Sequence, residues 1–243
     1  MRRRALGTGN SDKLTPEASQ REALRVLRSN LDSALRDLEN PVVLVTSANE
    51  GEGKTSTCVP LAKSMAAAGT GVVLLDLDLR NPGAHALLGV PNEVGAVDVL
   101  SGKATQEEAL QYVQTAPNTG LWFMPTGTTV SNPTELLDTN RTVSLLNALA
   151  NQADIVLVDT APVLPVADTL VVGRLAAGAL IVVEARRTPA PAVQRAKEML
   201  MRNQTRILGL VLNRLRPGDA TYTYGYSFAD AGAVLNPNGQ DES

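Results

Sequence analysis

Thr46-Ser47-Ala48-Asn49-Glu50-Gly51-Glu52-Gly53-Lys54-Thr55 is the stretch that decides the fold. It follows a short apolar run, Pro41-Val42-Val43-Leu44-Val45-Thr46, and precedes a segment whose pattern predicts a helix through about Ala68. A glycine-bearing turn between a strand and a helix is the layout of a phosphate cradle. Gly51 and Gly53 allow backbone conformations and close approaches that side chains would block. Successive N–H groups then converge on an anion at the helix N-terminus. In that layout Lys54 reaches the β- and γ-phosphates of a nucleotide and the Thr55 hydroxyl ligates Mg²⁺. Gly51, Glu52, Gly53, Lys54, Thr55 and Ser56 are the expected nucleotide contacts. The strict spacing asks for glycine at position 48, where this chain has Ala48. The strand–loop–helix context keeps the reading.

Outward from the loop, similar apolar runs recur: Gly71 to Asp76, Leu121 to Pro125, Asp154 to Asp159, Gly178 to Val183 and Ile207 to Leu212. They are continuously apolar rather than alternating, as in strands covered on both faces. Helix-length segments between them imply right-handed crossovers and a parallel sheet. The expected fold is a doubly wound, mainly parallel α/β domain of the P-loop type. Residues 1–20, with Arg2 to Arg4, read as a flexible basic arm, residues 21–216 as the nucleotide-binding domain, and residues 217–243 as a flexible polar tail. Within 21–39, Leu24, Leu27, Leu31, Leu35 and Leu38 form one apolar helical stripe that Asn40-Pro41 ends.

A magnesium-nucleotide site needs carboxylates where parallel strands end beside the loop. Asp76 and Asp78 end the second run and Asp159 the fourth. Asp76 and Asp78 lie two apart, so in an extended segment they point the same way. Such a pair suits ion coordination and acceptance of a proton from an attacking hydroxyl. Asn213, at the end of the last run, is placed to read an adenine edge or to serve as a turn residue before Arg214.

Composition narrows the alternatives. Against 25 acidic side chains the chain has 22 basic ones, a net charge of −3, which excludes a blanket polycation coating nucleic acid. One cysteine, Cys58, and one histidine, His85, exclude a disulfide framework and any iron–sulfur or zinc site built from several such residues of this chain. Arg2 to Arg4 are not followed by an apolar run, so no secretory signal is read, and Val163 to Ala185 is broken by Asp168, Arg174 and Glu184 as a membrane span.

Taken together, these residues resemble the bacterial tyrosine kinases of capsule and exopolysaccharide synthesis. Thr46 to Thr55 resembles their Walker A motif. Leu74-Leu75-Asp76-Leu77-Asp78-Leu79-Arg80-Asn81-Pro82 resembles their Walker A′, and Ile155-Val156-Leu157-Val158-Asp159-Thr160 their Walker B. Asn132-Pro133-Thr134-Glu135-Leu136-Leu137 is similar to a stretch typical of the family, and Glu22, Arg25 and Arg28 fit its E-x-x-R-x-x-R oligomerisation motif. The likeness runs from about Glu22 to Tyr226. It implies a partition-ATPase-like P-loop kinase domain using ATP and Mg²⁺. Lys54 and Thr55 would hold phosphates and metal, Asp78 and Asp159 would hold or orient the metal, and Asp76 would assist deprotonation of a tyrosine. It also implies a ring-like homo-oligomer, an octamer in the family, that works at the inner face of the plasma membrane through a transmembrane activator with a cytoplasmic tail, and a tyrosine phosphatase as counterpart. Two departures, Ala161 for a second proline and Ala177 for an aspartate, bear on local packing more than on activity.

Two features support this reading on physical grounds. Tyr222, Tyr224 and Tyr226 sit on a tail too polar to need them for a core, so they are expected autophosphorylation sites, each phosphate adding about −1.5 to −2 charge. Glu22, Arg25 and Arg28 share one broad helical face that suits pairing with a neighbouring subunit. The competing reading is a partition or division-site ATPase that positions cargo without kinase chemistry. Those proteins usually carry an extra lysine early in the loop, where this chain has Asn49.

Overall fold

The computed structural model describes residues 16–36, 38–128, 130, 132–137 and 140–216. Contacts divide the chain after Asn213 into units 1–213 and 214–243, and of the second only residues 214–216 are described. Arg2 to Arg4 and the three tail tyrosines lie outside the described residues.

The first unit runs α1 (Pro16–Leu35), β1 (Val42–Ser47), α2 (Lys54–Ala66), β2 (Val72–Leu77), α3 (Ala84–Leu88), α4 (Ala96–Leu100), α5 (Gln106–Ala109), β3 (Gln114–Thr115), β4 (Trp122–Met124), α6 (Pro133–Leu137), α7 (Asn140–Ala150), β5 (Ile155–Thr160), α8 (Asp168–Gly173), β6 (Gly178–Glu184), α9 (Ala190–Arg202) and β7 (Ile207–Asn213). The strands form one sheet in the order β3-β4-β2-β5-β1-β6-β7. All pairings are parallel except β3 with β4. The six apolar runs all became strands, and the two-residue β3 is the one strand the sequence pattern did not announce.

Alternate residues of β1, β2 and β5 are buried on opposite faces, which is why those runs are apolar throughout, while β7 at the edge leaves Leu210 and Leu212 exposed. Val42 and Leu44 of β1, Val73 and Leu75 of β2, and Val156 and Val158 of β5 pack with Leu145 and Leu149 of α7 and Leu200 of α9. Their neighbours Val43, Val45, Leu74 and Leu157 pack on the other face with Leu31 of α1 and Val59, Leu61 and Met65 of α2. The α1 stripe is what seats that helix, Leu31 being almost fully buried. The helix starts at Pro16, inside the span expected as an arm. Proline is tolerated at a first helical position, and Glu17 suits the first turn.

Candidate active site

β1 stops at Ser47 and the chain turns through Gly51 (φ 76°) and Gly53 (φ 95°) into α2. Gly53 is constrained twice over: beyond its left-handed backbone, a β-carbon there would stand 2.0 Å from Nδ2 of Asn213. That amide donates to the carbonyl of Glu52 at 3.0 Å, so the end of β7 lies directly against the loop. The segment after β5 flanks the loop on the other side. Val163 and Leu164 donate their N–H groups to the carbonyls of Ser47 (2.9 Å) and Ala48 (3.1 Å).

Register then brings the carboxylates together. β2 pairs with β5 so that Asp76 stands opposite Asp159, and Asp159 stands opposite Val45 of β1, two residues before the loop. Both carboxylates are fully buried. Asp78 departs from the expected geometry: β2 ends at Leu77, and Asp78 lies in the following turn rather than on the strand. Asp76 therefore turns to its own loop. Its Oδ1 accepts from the Asp78 N–H at 3.1 Å, and its Oδ2 from the N–H groups of Gly83 (3.2 Å) and Ala84 (3.1 Å) at the start of α3. Asp78 instead meets Lys54, with Oδ2 3.7 Å from Nζ, while its Oδ1 accepts from the Asn81 N–H.

The electrostatics of the three differ. Burial, partly countered by its backbone donors, raises Asp76 from its ordinary 3.8 to about 6. Burial also raises Asp78, with Lys54 pulling the other way. Asp159 is pushed well above the usual carboxylate range by burial and by Asp76, with the Thr55 hydroxyl and Lys54 opposing. Neither Asp159 oxygen has a hydrogen-bond partner among the described residues. A buried, unpartnered carboxylate beside the phosphate loop fits a site whose remaining partner arrives with a bound ion or its waters.

Among the described residues no three His, Cys, Asp or Glu side chains gather into a cluster able to hold a metal alone. Mg²⁺ keeps several waters and is usually held by one or two carboxylates together with substrate phosphates. The residues fit that ion: the Thr55 hydroxyl, Asp159 and Asp78 supply hard oxygen donors. Cys58 is buried on α2, its thiol pushed up by burial and by the charges of Asp159 and Asp76, which makes it inert.

Other expected residues take different places. The side chain of Glu52 is folded into the loop, its carboxylate accepting from the Ala48 N–H (2.9 Å) and the Asn49 amide (3.0 Å), so only its backbone remains for a phosphate. Ser56 donates to the Gly53 carbonyl at 3.1 Å. On α1, Arg25 pairs with Glu22 at 3.3 Å and Arg28 donates to the Ser64 carbonyl on α2 at 3.1 Å. Ala161 is buried, and its carbonyl accepts from the Thr46 hydroxyl at 2.8 Å and from the Thr169 hydroxyl.

Sequence reasoning missed one cluster on this edge of the sheet. Arg80, two residues past Asp78, holds Asp168 with two bonds, Nε to Oδ2 at 2.7 Å and Nη2 to Oδ1 at 3.1 Å. Thr134 donates to the same carboxylate at 2.5 Å and accepts from Arg80 at 3.2 Å. The cluster ties the turn carrying Asp78 to α6 and α8. The available signals were Arg80 within the Asp76 to Pro82 stretch and Thr134 within Asn132 to Leu137.

Known proteins resemble this chain over most of its length. A model of the ParA family, described as NUBPL iron-transfer P-loop NTPase, matches residues 39–216. The chain is 34% identical over 198 residues to the tyrosine-protein kinase YwqD of Bacillus subtilis, covering 82% of each. The solved kinase domain of the Escherichia coli tyrosine kinase ETK superposes with a TM-score of 0.79 at 32% identity, covering 93% of this chain and 88% of that one. The solved chimerical protein CapA2B2 gives 0.75 at 26% identity, covering 85% and 88%. Two further curated relatives, the putative tyrosine-protein kinases EpsB of Ralstonia solanacearum and AmsA of Erwinia amylovora, are longer, and the chain spans 28% and 30% of their length at 36% and 34% identity.

Proposed function

Because the chain belongs to the family of bacterial tyrosine-protein kinases, within the ParA-type P-loop NTPases, we propose that it is an ATP-dependent tyrosine autokinase. The observation that carries the reading is the meeting of Lys54, Asp78, Asp76 and the unpartnered Asp159 at the end of one phosphate loop. Lys54 and the backbone of residues 51–55 bind the triphosphate and offset its charge. Asp159, Asp78 and Thr55 would hold Mg²⁺, which when bound supplies charge stabilisation to the phosphates. A tyrosine oxygen attacks the γ-phosphorus, the bond to the bridging oxygen breaks, and ADP leaves. The phenolic proton passes to an aspartate. Asp76 has a pKa of about 6, suited to that exchange near neutrality, and Asp78 is the more accessible of the two.

The acceptors are Tyr222, Tyr224 and Tyr226, presented in trans within a ring-like homo-oligomer that the α1 face of Glu22, Arg25 and Arg28 helps to build. By resemblance to the family, the enzyme works at the inner membrane face beside a transmembrane activator, with a tyrosine phosphatase reversing the modification and polysaccharide export as the regulated process. Among the described residues no helix is long and apolar enough to cross a membrane. In the partition-ATPase reading, position 49 carries a lysine. Here it carries an amide whose hydrogen bond goes to Glu52.

Mass spectrometry after incubation with Mg-ATP and an activator-tail peptide tests the proposal. Phosphate on the three tyrosines that vanishes in Lys54→Met is the expected result. ATP hydrolysis with unmodified tyrosines would favour the cargo-positioning ATPase instead.

A further inference from the structure

A phosphate loop that contains a glutamate carries a charge of the wrong sign for its ligand. Glu52 is 4% exposed, and no basic side chain lies within ion-pair distance of it among the described residues. Its carboxylate is held by dipoles alone: the Ala48 N–H, the Asn49 amide and, from far along the chain, the Thr188 hydroxyl at 2.9 Å. Hydrogen bonds to an ionised acceptor are about twice as strong as neutral ones, and a buried acceptor that loses a donor is costly.

Thr188 is fixed independently of the loop. It closes the turn after β6: its Oγ1 accepts from the Glu184 N–H at 3.0 Å, and its own N–H donates to the Glu184 carbonyl at 3.0 Å. Arg186 within that turn takes φ 63°, and the Ala185 N–H donates to the Asn213 carbonyl at 2.9 Å. The turn is thus bound to β7, and β7 in turn supplies the Asn213 amide that holds the Glu52 carbonyl. Glu52 is gripped at side chain and main chain by two neighbouring strand ends.

We propose that Thr188 is a positioning residue of the nucleotide site, which through Glu52 turns that carboxylate away from the bound phosphates and keeps the loop in its receptive shape before nucleotide arrives. The inference rests on the reading of residues 46–55 as a phosphate-binding loop. Its second consequence is coupling: displacement of the β6–α9 turn changes the phosphate loop, with no contact between that turn and a phosphate.

The test uses the full chain and four proteins: wild type, Thr188→Val, Thr188→Ser and Glu52→Gln. Two quantities are read, the affinity for Mg-ADP by calorimetry and the exchange rate of the Ala48 N–H by hydrogen–deuterium mass spectrometry without nucleotide. Thr188→Val is expected to weaken Mg-ADP by about tenfold or more and to speed exchange at Ala48. Thr188→Ser, which keeps the hydroxyl, stays near wild type, and Glu52→Gln behaves like the valine variant because one of its two terminal atoms no longer accepts. Valine and serine variants that both match wild type, or that both fail alike, would overturn the positioning role. Wild type that binds no Mg-ADP would remove the nucleotide reading instead, and the exchange comparison would still decide whether Thr188 shapes the loop.

Discussion

Asp159 and Asp168 stand one loop apart at the same edge of the sheet, and burial treats them alike while bonding does not. Asp168 is 1% exposed and fully answered, by two bonds from Arg80 and one from Thr134. Asp159 is equally buried and makes no comparable bond, with only the Thr55 hydroxyl and Lys54 favouring its charged form. A buried carboxylate costs several kcal/mol unless it is paired, so the first is answered within the fold, while burial pushes the second toward its neutral form and leaves it able to take a cation. On the proposed function, the pair separates a residue that holds the site in place from one that operates in it.

The contrast is sharpest when a partner is removed. Arg80→Ala leaves Asp168 with Thr134 alone and, because Arg80 is 42% exposed and water can replace part of it, is expected to lower stability by about 1–3 kcal/mol in urea unfolding. A loss under about 1 kcal/mol would make the bidentate pair ornamental and dissolve the comparison. The opposite pattern is expected of Asp159→Asn: autophosphorylation falls roughly 100- to 1,000-fold, while the melting temperature holds or rises because a buried acid whose charged form is disfavoured has gone.

Acidity sharpens the comparison further. Asp76 titrates at about 6 in the folded protein against an ordinary 3.8, so between those values the folded state binds more protons than the unfolded. Stability contributed by this group therefore declines as pH rises through that window, by at most about 1.4 kcal/mol per pH unit. Unfolding free energies at pH 4 to 7 without metal should fall more steeply for wild type than for Asp76→Asn, and parallel curves would contradict the burial argument. The smallest effect belongs to the surface. Arg25→Ala, which breaks an exposed pair within α1, should change stability by less than about 0.5 kcal/mol. Sedimentation should nevertheless show a smaller assembly if that face joins subunits.

Much of this was legible before the structure. Six apolar runs gave six strands: β1, β2 and β5 are buried on both faces, which leaves an unbroken apolar signal, whereas β7 at the sheet edge is apolar although Leu210 and Leu212 are exposed. The loop motif set Lys54 and Thr55 at the start of α2 because it is local. β3 left no trace, since two residues have no period to detect. Asp76 and Asp78 were read as an extended pair at the strand's end; β2 stops at Leu77, one residue short of Asp78, and the alternation rule holds only while the strand lasts. Asp168 registered merely as a charge interrupting an apolar run, and Thr188 not at all. Their partners Arg80 and Glu52 lie 88 and 136 positions away, beyond any local pattern. Glu52 was read as a nucleotide contact from its place in the motif, and only packing shows that its carboxylate faces the loop itself.

The bond from Asn213 to the Glu52 carbonyl spans 161 positions, and this has a consequence for biosynthesis. At about 5–20 residues per second, a ribosome needs roughly 8 to 32 seconds to make the intervening chain. For all that time the emerging loop lacks its closing amide. A polypeptide cut short before that asparagine would thus carry Asp76, Asp78 and Asp159 yet lack the amide that holds the Glu52 carbonyl.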